Sequence, residues 1–130
     1  MPKSPTDLQQ HNCLHYPRSQ DTPVWSFTPA KSGKGRETIN VPVRGSLAAN
    51  NSEALREAAL TGAGIALLPD FSAQESLRKG QLVPVLPDWR VDGGFGRHIF
   101  AIRPYTPHVP RAVSALVAHL REGLVGGFAA

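Results

Sequence analysis

The chain has 130 residues, of which 41% are hydrophobic, and a formal net charge of +4. This length suits one domain, or a large part of one, with a buried core. No apolar run approaches the length of a membrane span and no secretion signal opens the chain, so we expect a cytoplasmic protein that does not enter a membrane. The 14 lysines and arginines are spread over many segments, which argues against DNA binding by this chain.

The first third of the chain predicts a short helix and three strands. These are a helix over about Pro5 to Gln10 and strands over Asn12 to Tyr16, Val24 to Thr28 and Thr38 to Leu47. The second and third strands form a predicted hairpin with a basic tip at Lys31 to Arg36. Trp25 and Phe27 share one face of the second strand. Pro42 cannot donate to a ladder, so we expect the third strand to lie at an edge or to carry a bulge.

The centre of the chain, Gly45 to Pro69, predicts a strand end, a helix and a second strand. Asn50 and Glu53 have the spacing of a helix cap and its third residue, which places the cap at Asn50. The predicted buried stripe of this helix is Leu55, Ala58, Ala59 and Gly62. After Gly62 and Gly64 end the helix, the apolar run Ile65 to Leu68 predicts a strand covered on both faces.

The last part of the chain predicts two helices and two strands. A helix capped by Ser72 and Glu75 runs to Lys79 and stops at Gly80, and the terminal helix runs from Pro110 to about Gly126. The predicted strands are Leu82 to Leu86 and His98 to Arg103, separated by a glycine-rich loop over Asp88 to Arg97. The terminal helix has an apolar stripe formed by Val113, Leu116, Val117, Leu120 and Leu124. Strands alternating with helices predict an α/β fold.

Three loops are candidate ligand sites, because ligands of open α/β sheets bind beyond the carboxyl ends of strands. At Asn50, Asn51 and Ser52, backbone amides at a helix start could hold a carboxylate, with simple capping as the alternative. Pro69, Asp70 and Phe71 precede the next helix, where capping by Ser72 is the alternative. The third place is the end of the first strand, at His15, Tyr16 and Arg18, where a packed tyrosine and a solvated arginine are the alternative.

Other residue groups give weaker indications. His11, Cys13 and His15 share one face of an extended segment, but their spacing does not match zinc sites, so no metal is expected and Cys13 is better explained as a small core residue. Gly33, Lys34 and Gly35 lack the setting of a phosphate-binding loop. No nucleophile elbow or metalloprotease motif is present, so neither an enzyme nor a cofactor is predicted. Leu60 projects about 140° from Leu55, which makes it a candidate oligomer contact.

An ordered series of motifs resembles the effector-binding domain of LysR-type transcriptional regulators. The series is Trp25-x-Phe27, Val41-x-Val43-x-Gly45-x-Leu47-x-x-Asn50, ALREAALTGAGIALLPDF at 54–71, and Leu77-x-x-Gly80-x-Leu82-Val83-x-Val85-Leu86-x-x-Trp89. It looks like the second half of that domain, over about Pro5 to Leu124. The resemblance implies a type 2 periplasmic-binding-protein-like subdomain, with a mixed, mostly parallel sheet flanked by helices.

The resemblance also implies a domain organisation and a function. Residues 5–97 would form the second subdomain, and residues 98–124 a crossover strand and a helix that pack on the first subdomain. The family senses a small-molecule effector, forms homodimers or higher homo-oligomers, and binds DNA through a winged helix-turn-helix that this chain does not contain. The alternatives are a solute-binding domain of a transport system, an α/β enzyme, and a truncated regulator without function.

Overall fold

The computed structural model describes residues 1–17, 22–31, 38–92, 100–103 and 105–127. They divide into two compact units, one within residues 1–92 and one within residues 100–127, each of which is described by itself. The elements of the first unit are a 3-10 helix Pro5–Gln10, β1 Cys13–Leu14, β2 Val24–Pro29, β3 Ile39–Pro42, α1 Ser52–Leu60, β4 Ile65–Ala66, α2 Asp70–Arg78 and β5 Trp89–Asp92. The second unit contains α3 Arg111–Gly123. No helix within these described ranges is long and apolar enough to cross a membrane.

An antiparallel sheet of order β3-β2-β5 forms one part of the first unit. The β2-β3 hairpin is confirmed, with Trp25 opposite Val41. Pro42 ends β3 at the edge of the sheet, as expected from its missing N–H. Trp25 and Phe27 are both buried, which confirms that they share the core face of β2. The predicted hairpin tip falls mostly on residues 32–37, outside the described residues.

A parallel sheet is built around β1. On one side β1 pairs with β4, with Cys13 opposite Ile65. On the other side residues 44–49 run parallel to β1: the Cys13 N–H donates to the Arg44 carbonyl at 2.9 Å, and a bridge joins His15 to Ala48. The long strand predicted over 38–47 therefore divides between the two sheets: the Val43 N–H still donates to the Pro23 carbonyl at 2.8 Å, and the pairing with β1 begins at the Arg44 carbonyl.

The described strands include both parallel and antiparallel pairs, but they form two separate sheets, so the predicted single, mostly parallel sheet is wrong for them. Three of the five named strands form the antiparallel sheet. The strand predicted at 82–86 is absent, and β5 lies instead within the predicted loop at 88–97. Val83 is 63% exposed, Pro84 has no N–H to donate, and Leu86 turns the chain with φ 57°, so the strand forms only at Trp89.

Two other predicted strands are shorter than expected or absent. The run at 65–68 forms only the two-residue β4, and all four of its residues are half-buried instead of covered on both faces. Residues 100–103 form no strand, with Phe100 76% and Ile102 92% exposed. The start of that predicted strand lies outside the described residues. The apolar composition of both segments therefore predicted strands, but it did not determine whether each segment would pair with another strand.

The core of the first unit joins both sheets and the 3-10 helix. The buried cluster consists of Leu8, Cys13, Trp25, Phe27, Val41, Val43 and Leu86. The 3-10 helix confirms the predicted helix at 5–10 and presents Leu8 to this cluster. Leu55 of α1 is fully buried, whereas Ala58 and Ala59 are half-buried and Gly62 is exposed, so the predicted stripe narrows toward the end of α1.

Both predicted helix caps in the centre of the chain are displaced. The cap of α1 is Asn51, not Asn50, and its Oδ1 accepts from the N–H groups of Glu53 and Ala54. The cap of α2 is Pro69, so Ser72 lies inside the first turn and the predicted Ser72 and Glu75 capping box is wrong. The end of α2 is as predicted, with Gly80 at φ 67° just after it.

Candidate functional site

All three predicted ligand-facing groups follow the carboxyl ends of parallel segments in one sheet. His15 and Tyr16 follow β1, residues 50–52 follow the segment 44–49, and residues 69–71 follow β4. Because parallel strands end at the same edge, the sheet brings the three groups to one edge with β1 in the middle. Arg18, predicted with the first group, lies outside the described residues.

His15 is held at this edge by both its backbone and its ring. Its N–H donates to the Leu47 carbonyl at 3.2 Å, and its carbonyl accepts from the Ala49 N–H at 3.1 Å. The ring Nδ1 lies 3.0 Å from the Cys13 carbonyl, which can only accept, so Nδ1 carries the proton in this bond. The ring orientation is therefore set within β1, with Nε2 as the remaining ring nitrogen. Tyr16 beside it is half-buried.

The start of α1 is satisfied by its own side chains. The Asn51 Oδ1 takes the amides of Glu53 at 2.8 Å and Ala54 at 3.1 Å. The hydroxyl of the buried Ser52 donates to the Glu53 carboxylate at 3.3 Å. Asn50 is exposed and does not cap the helix. These contacts favour the capping alternative for Asn51, since two amides at this helix start already have an acceptor.

The start of α2 is arranged differently. Its cap residue is Pro69, which provides no side-chain hydrogen bond to the first turn. The Ser72 N–H donates to the Pro69 carbonyl at 3.0 Å, and the Ser72 hydroxyl is buried without a partner among the described residues. Asp70 and Phe71 are exposed, Phe71 by 51%. At this edge, α2 is therefore the helix start that lacks a capping side chain.

A cation of α1, Arg56, lies beside the first turn of α2. The Arg56 Nη1 donates to the Ser72 carbonyl at 3.4 Å, and its Nη2 pairs with the Glu57 carboxylate at 2.9 Å. The Arg56 side chain is only 28% exposed. The guanidinium thus places positive charge within the first turn of α2. Helical periodicity could not reveal this contact, because α2 is a separate element.

Asn12 was not singled out from the sequence, although its side chain makes three hydrogen bonds at the opposite edge of the same sheet. Its Nδ2 donates to the Ser46 Oγ at 2.8 Å and to the Ala63 carbonyl at 2.6 Å, while its Oδ1 accepts from the Ser46 N–H at 2.7 Å. The only sequence signal is a polar amide directly before the apolar pair of β1.

The candidate metal ligands on β1 have other roles. Cys13 is fully buried, its thiol donates to the Leu8 carbonyl at 3.4 Å, and burial raises the pKa of this thiol to about 11. Its prediction as a core residue is confirmed. The part of the chain that the structure describes contains no group of three or more metal-ligating side chains. In the second unit, an open depression of about 550 Å³ is lined by residues 100–103 and Tyr105, none of them a predicted site residue.

Most of the sequence also matches a known family. The model of the LysR substrate binding domain matches residues 1–125. The chain belongs to this LysR family. Its curated relatives include the HTH-type transcriptional regulator PtxR of Pseudomonas aeruginosa, 34% identical over 92% of this chain, and the probable HTH-type transcriptional regulator LtrA of Klebsiella pneumoniae, 30% identical over 93%. The chain spans only 36% and 38% of the lengths of these two proteins.

Solved structures of LysR-type regulators have the same fold. The regulatory domain of AphB from Vibrio vulnificus is 25% identical, with a TM-score of 0.65 over 94% of this chain and 57% of that chain. The full-length Vibrio cholerae virulence activator AphB, a member of the LTTR family, is 33% identical with a TM-score of 0.57 over 70% of this chain and 29% of that chain. The resemblance seen in the sequence is thereby confirmed at the level of the family. These relatives are named as regulators, so the prediction that the chain is not an enzyme is also confirmed.

Proposed function

We propose that this chain is the effector-sensing part of a LysR-type transcriptional regulator, and that the carboxyl edge of its parallel sheet forms one wall of the effector site. The observation that carries the proposal is the arrangement of that sheet. Three segments far apart in sequence end at one edge, and each delivers one of the predicted ligand-facing groups. Ligand sites of open α/β sheets lie in this position.

The effector of this wall is a small carboxylate. The first turn of α2 lacks a capping side chain, and the Arg56 guanidinium lies against it. A helix start and a neighbouring cation both favour an anion, the helix start alone by about 0.3–1 kcal/mol. The wall comprises His15, Tyr16, Asn50, Asn51, Ser52, Pro69, Asp70 and Phe71. Because Asn51 already occupies two amides of α1, we assign the anion to the α2 side of the wall.

The remainder of the regulator closes the site in this proposal. The chain is the second subdomain, and the terminal region of the chain packs on the first subdomain. The apolar stripe of α3 supports this, since Leu116 is 57% and Leu120 is 43% exposed. DNA binding belongs to a winged helix-turn-helix outside these 130 residues, and the regulator acts in the cytoplasm.

The carboxylate proposal is tested by titrating the isotope-labelled chain with acetate, succinate or benzoate and following the amide resonances. We expect shifts at Tyr16 and Phe71 that sodium chloride at equal ionic strength does not produce. Arg56→Gln should weaken binding about tenfold, whereas Arg90→Gln, a matched loss of one exposed cation on β5, should change it less than about twofold. Equal effects of both substitutions, or no shift with any carboxylate, would contradict the proposal.

Oligomer formation through Leu60 is a separate part of the proposal. Leu60 is the last residue of α1 and is half-buried within the chain, whereas Leu55 is fully buried. A charge at the remaining exposed surface of Leu60 should prevent close contact with a second copy. We expect Leu60→Asp to lower the weight-average sedimentation coefficient by shifting the chain toward the monomer, with Thr61→Asp as the control on a neighbouring exposed residue. Unchanged sedimentation of the Leu60 variant would remove this part of the proposal.

A further inference from the structure

At the amino edge of the parallel sheet, one side chain joins the three segments to one another. Asn12 directly precedes β1, which is the middle segment, and its amide group bonds to both flanking segments. On one side it exchanges two hydrogen bonds with Ser46, at 2.7 and 2.8 Å, and on the other it donates to the Ala63 carbonyl at 2.6 Å. These partners are 34 and 51 residues away in the sequence. One side chain thus connects the segments that lead to α1 and to α2.

Two glycines bring the flanking backbones within reach of this short side chain. Gly45, next to Ser46, lies so close to β1 that an added Cβ would be 2.0 Å from the Cys13 carbonyl oxygen. Gly64, next to Ala63, would place a Cβ 2.3 Å from the Asn12 carbonyl oxygen. A side chain at either position would push its segment away from β1. Both flanking segments therefore approach β1 closely, and this lets the single amide group of Asn12 bond to both of them.

We propose that Asn12 is a positioning residue for the effector-binding edge of the sheet. The backbone pairing of this sheet is short: β1 and β4 have two residues each, and three backbone hydrogen bonds, made by Cys13 and His15, join β1 to the third segment. The Asn12 side chain adds two hydrogen bonds on that side and one on the β4 side, and so constrains how the three segments lie relative to one another. Because the segments are parallel, an offset at their amino ends moves their carboxyl ends, where the predicted ligand-facing groups lie.

This inference rests on the proposed function, since it assigns Asn12 a part in effector binding without contact to the effector. A residue that only stabilises the fold would lower the free energy of unfolding and leave the binding edge of the folded chain unchanged. A positioning residue changes that edge while the chain is still folded. The two roles therefore differ in the ligand affinity and in the amide resonances of the folded state.

The test uses the full chain at a temperature where circular dichroism shows every variant to be folded. Asn12→Ala removes all three bonds, and Asn12→Asp keeps an acceptor for the Ser46 N–H but sets a carboxylate oxygen against the Ala63 carbonyl. Ser46→Ala removes one bond and keeps the connection to both flanking segments. Asn40→Ala is the matched control, because Asn40 accepts a single exposed hydrogen bond from Ser26 at 2.7 Å in the other sheet.

Benzoate affinity and the amide resonances of Ala49 and Ser72 are the two measurements. We expect Asn12→Ala and Asn12→Asp to weaken benzoate binding about tenfold or more, and Ser46→Ala and Asn40→Ala by less than about twofold. In the absence of ligand, both Asn12 variants should shift the Ala49 and Ser72 resonances, and the Asn40 variant should not.

The outcomes separate this inference from the proposed function. If the unsubstituted chain binds benzoate and both Asn12 variants bind it equally well, the positioning role is wrong and the effector site stands. If no carboxylate binds the unsubstituted chain, the carboxylate proposal fails, and the resonances decide the positioning role alone. Unchanged resonances of Ala49 and Ser72 in both Asn12 variants would overturn it, and shifted resonances would support it.

Discussion

The close approach at Gly45 predicts a large loss of stability for Gly45→Ala. The added Cβ would lie 2.0 Å from the Cys13 carbonyl oxygen, whereas Cβ contacts under 3.0 Å are essentially never seen. Relieving the clash requires the segment to move by about 1 Å, which takes the 2.9 Å bond from Cys13 to the Arg44 carbonyl beyond hydrogen-bonding distance. The two bonds between Asn12 and Ser46 would be lost with it. At about 1 kcal/mol each, these three bonds give a loss of about 3 kcal/mol.

The assay is urea unfolding followed by tryptophan fluorescence, because Trp25 and Trp89 both pack in or against the core. In thermal unfolding of a chain of this size, the same loss of about 3 kcal/mol corresponds to a decrease in Tm of about 12 °C. Gly62→Ala is the control, since Gly62 has φ 80° but no atom within 4 Å of an added Cβ. Its cost should be about 1 kcal/mol, from the left-handed backbone alone. Equal losses for Gly45→Ala and Gly62→Ala would refute the steric reasoning.

Three further predictions concern the caps, the buried thiol and the buried hydroxyl. Asn51→Ala should lower the free energy of unfolding by about 1 kcal/mol through loss of the α1 cap, and Asn50→Ala by less than about 0.5 kcal/mol, in the same urea assay. Because burial raises the pKa of Cys13 from 9.0 to about 11, the unfolded chain loses its thiol proton first as the pH rises. Stability should therefore fall between about pH 9 and 11 by about 1.4 kcal/mol per pH unit, and a Cys13→Ala variant with the same decline would contradict this. Ser72→Ala should be neutral or stabilising, by up to about 1 kcal/mol, because it removes a buried hydroxyl that has no partner within the described part of the chain; a clear loss of stability would show that the hydroxyl is bonded in solution.

Local patterns predicted the elements whose stability comes from their own residues. The alternation of Trp25 and Phe27 identified β2, and Pro42 placed β3 at an edge. The positions of Gly62 and Gly80 after α1 and α2 were also correct, since both adopt a left-handed backbone conformation. The helix starts were less accurate. Asn50 and Asn51 are the same residue type, so composition could not decide which one caps α1, and the hydrogen-bond geometry selected Asn51.

Strand pairing could not be read from local patterns, because it depends on contacts between distant residues. The apolar runs at 82–86 and 100–103 have the composition of strands, but neither forms one, while Trp89–Asp92 pairs with β2. The contact of Arg56 with the first turn of α2 has the same origin, since the helical pattern of α1 gives no information on what packs beside it. The apolar composition of a segment thus marks it as a strand candidate, and a partner edge decides whether it becomes one.

The sequence by itself determined the family, the helices α1 and α2, and the three loops that follow the segments of the parallel sheet. Those features depend on motifs and on neighbours within a few residues. Only the tertiary structure brought the three loops to one edge and joined the opposite edge through Asn12. The bonds of Asn12 connect residues 34 and 51 positions apart, and they form only because Gly45 and Gly64 let two distant backbones pack directly against β1.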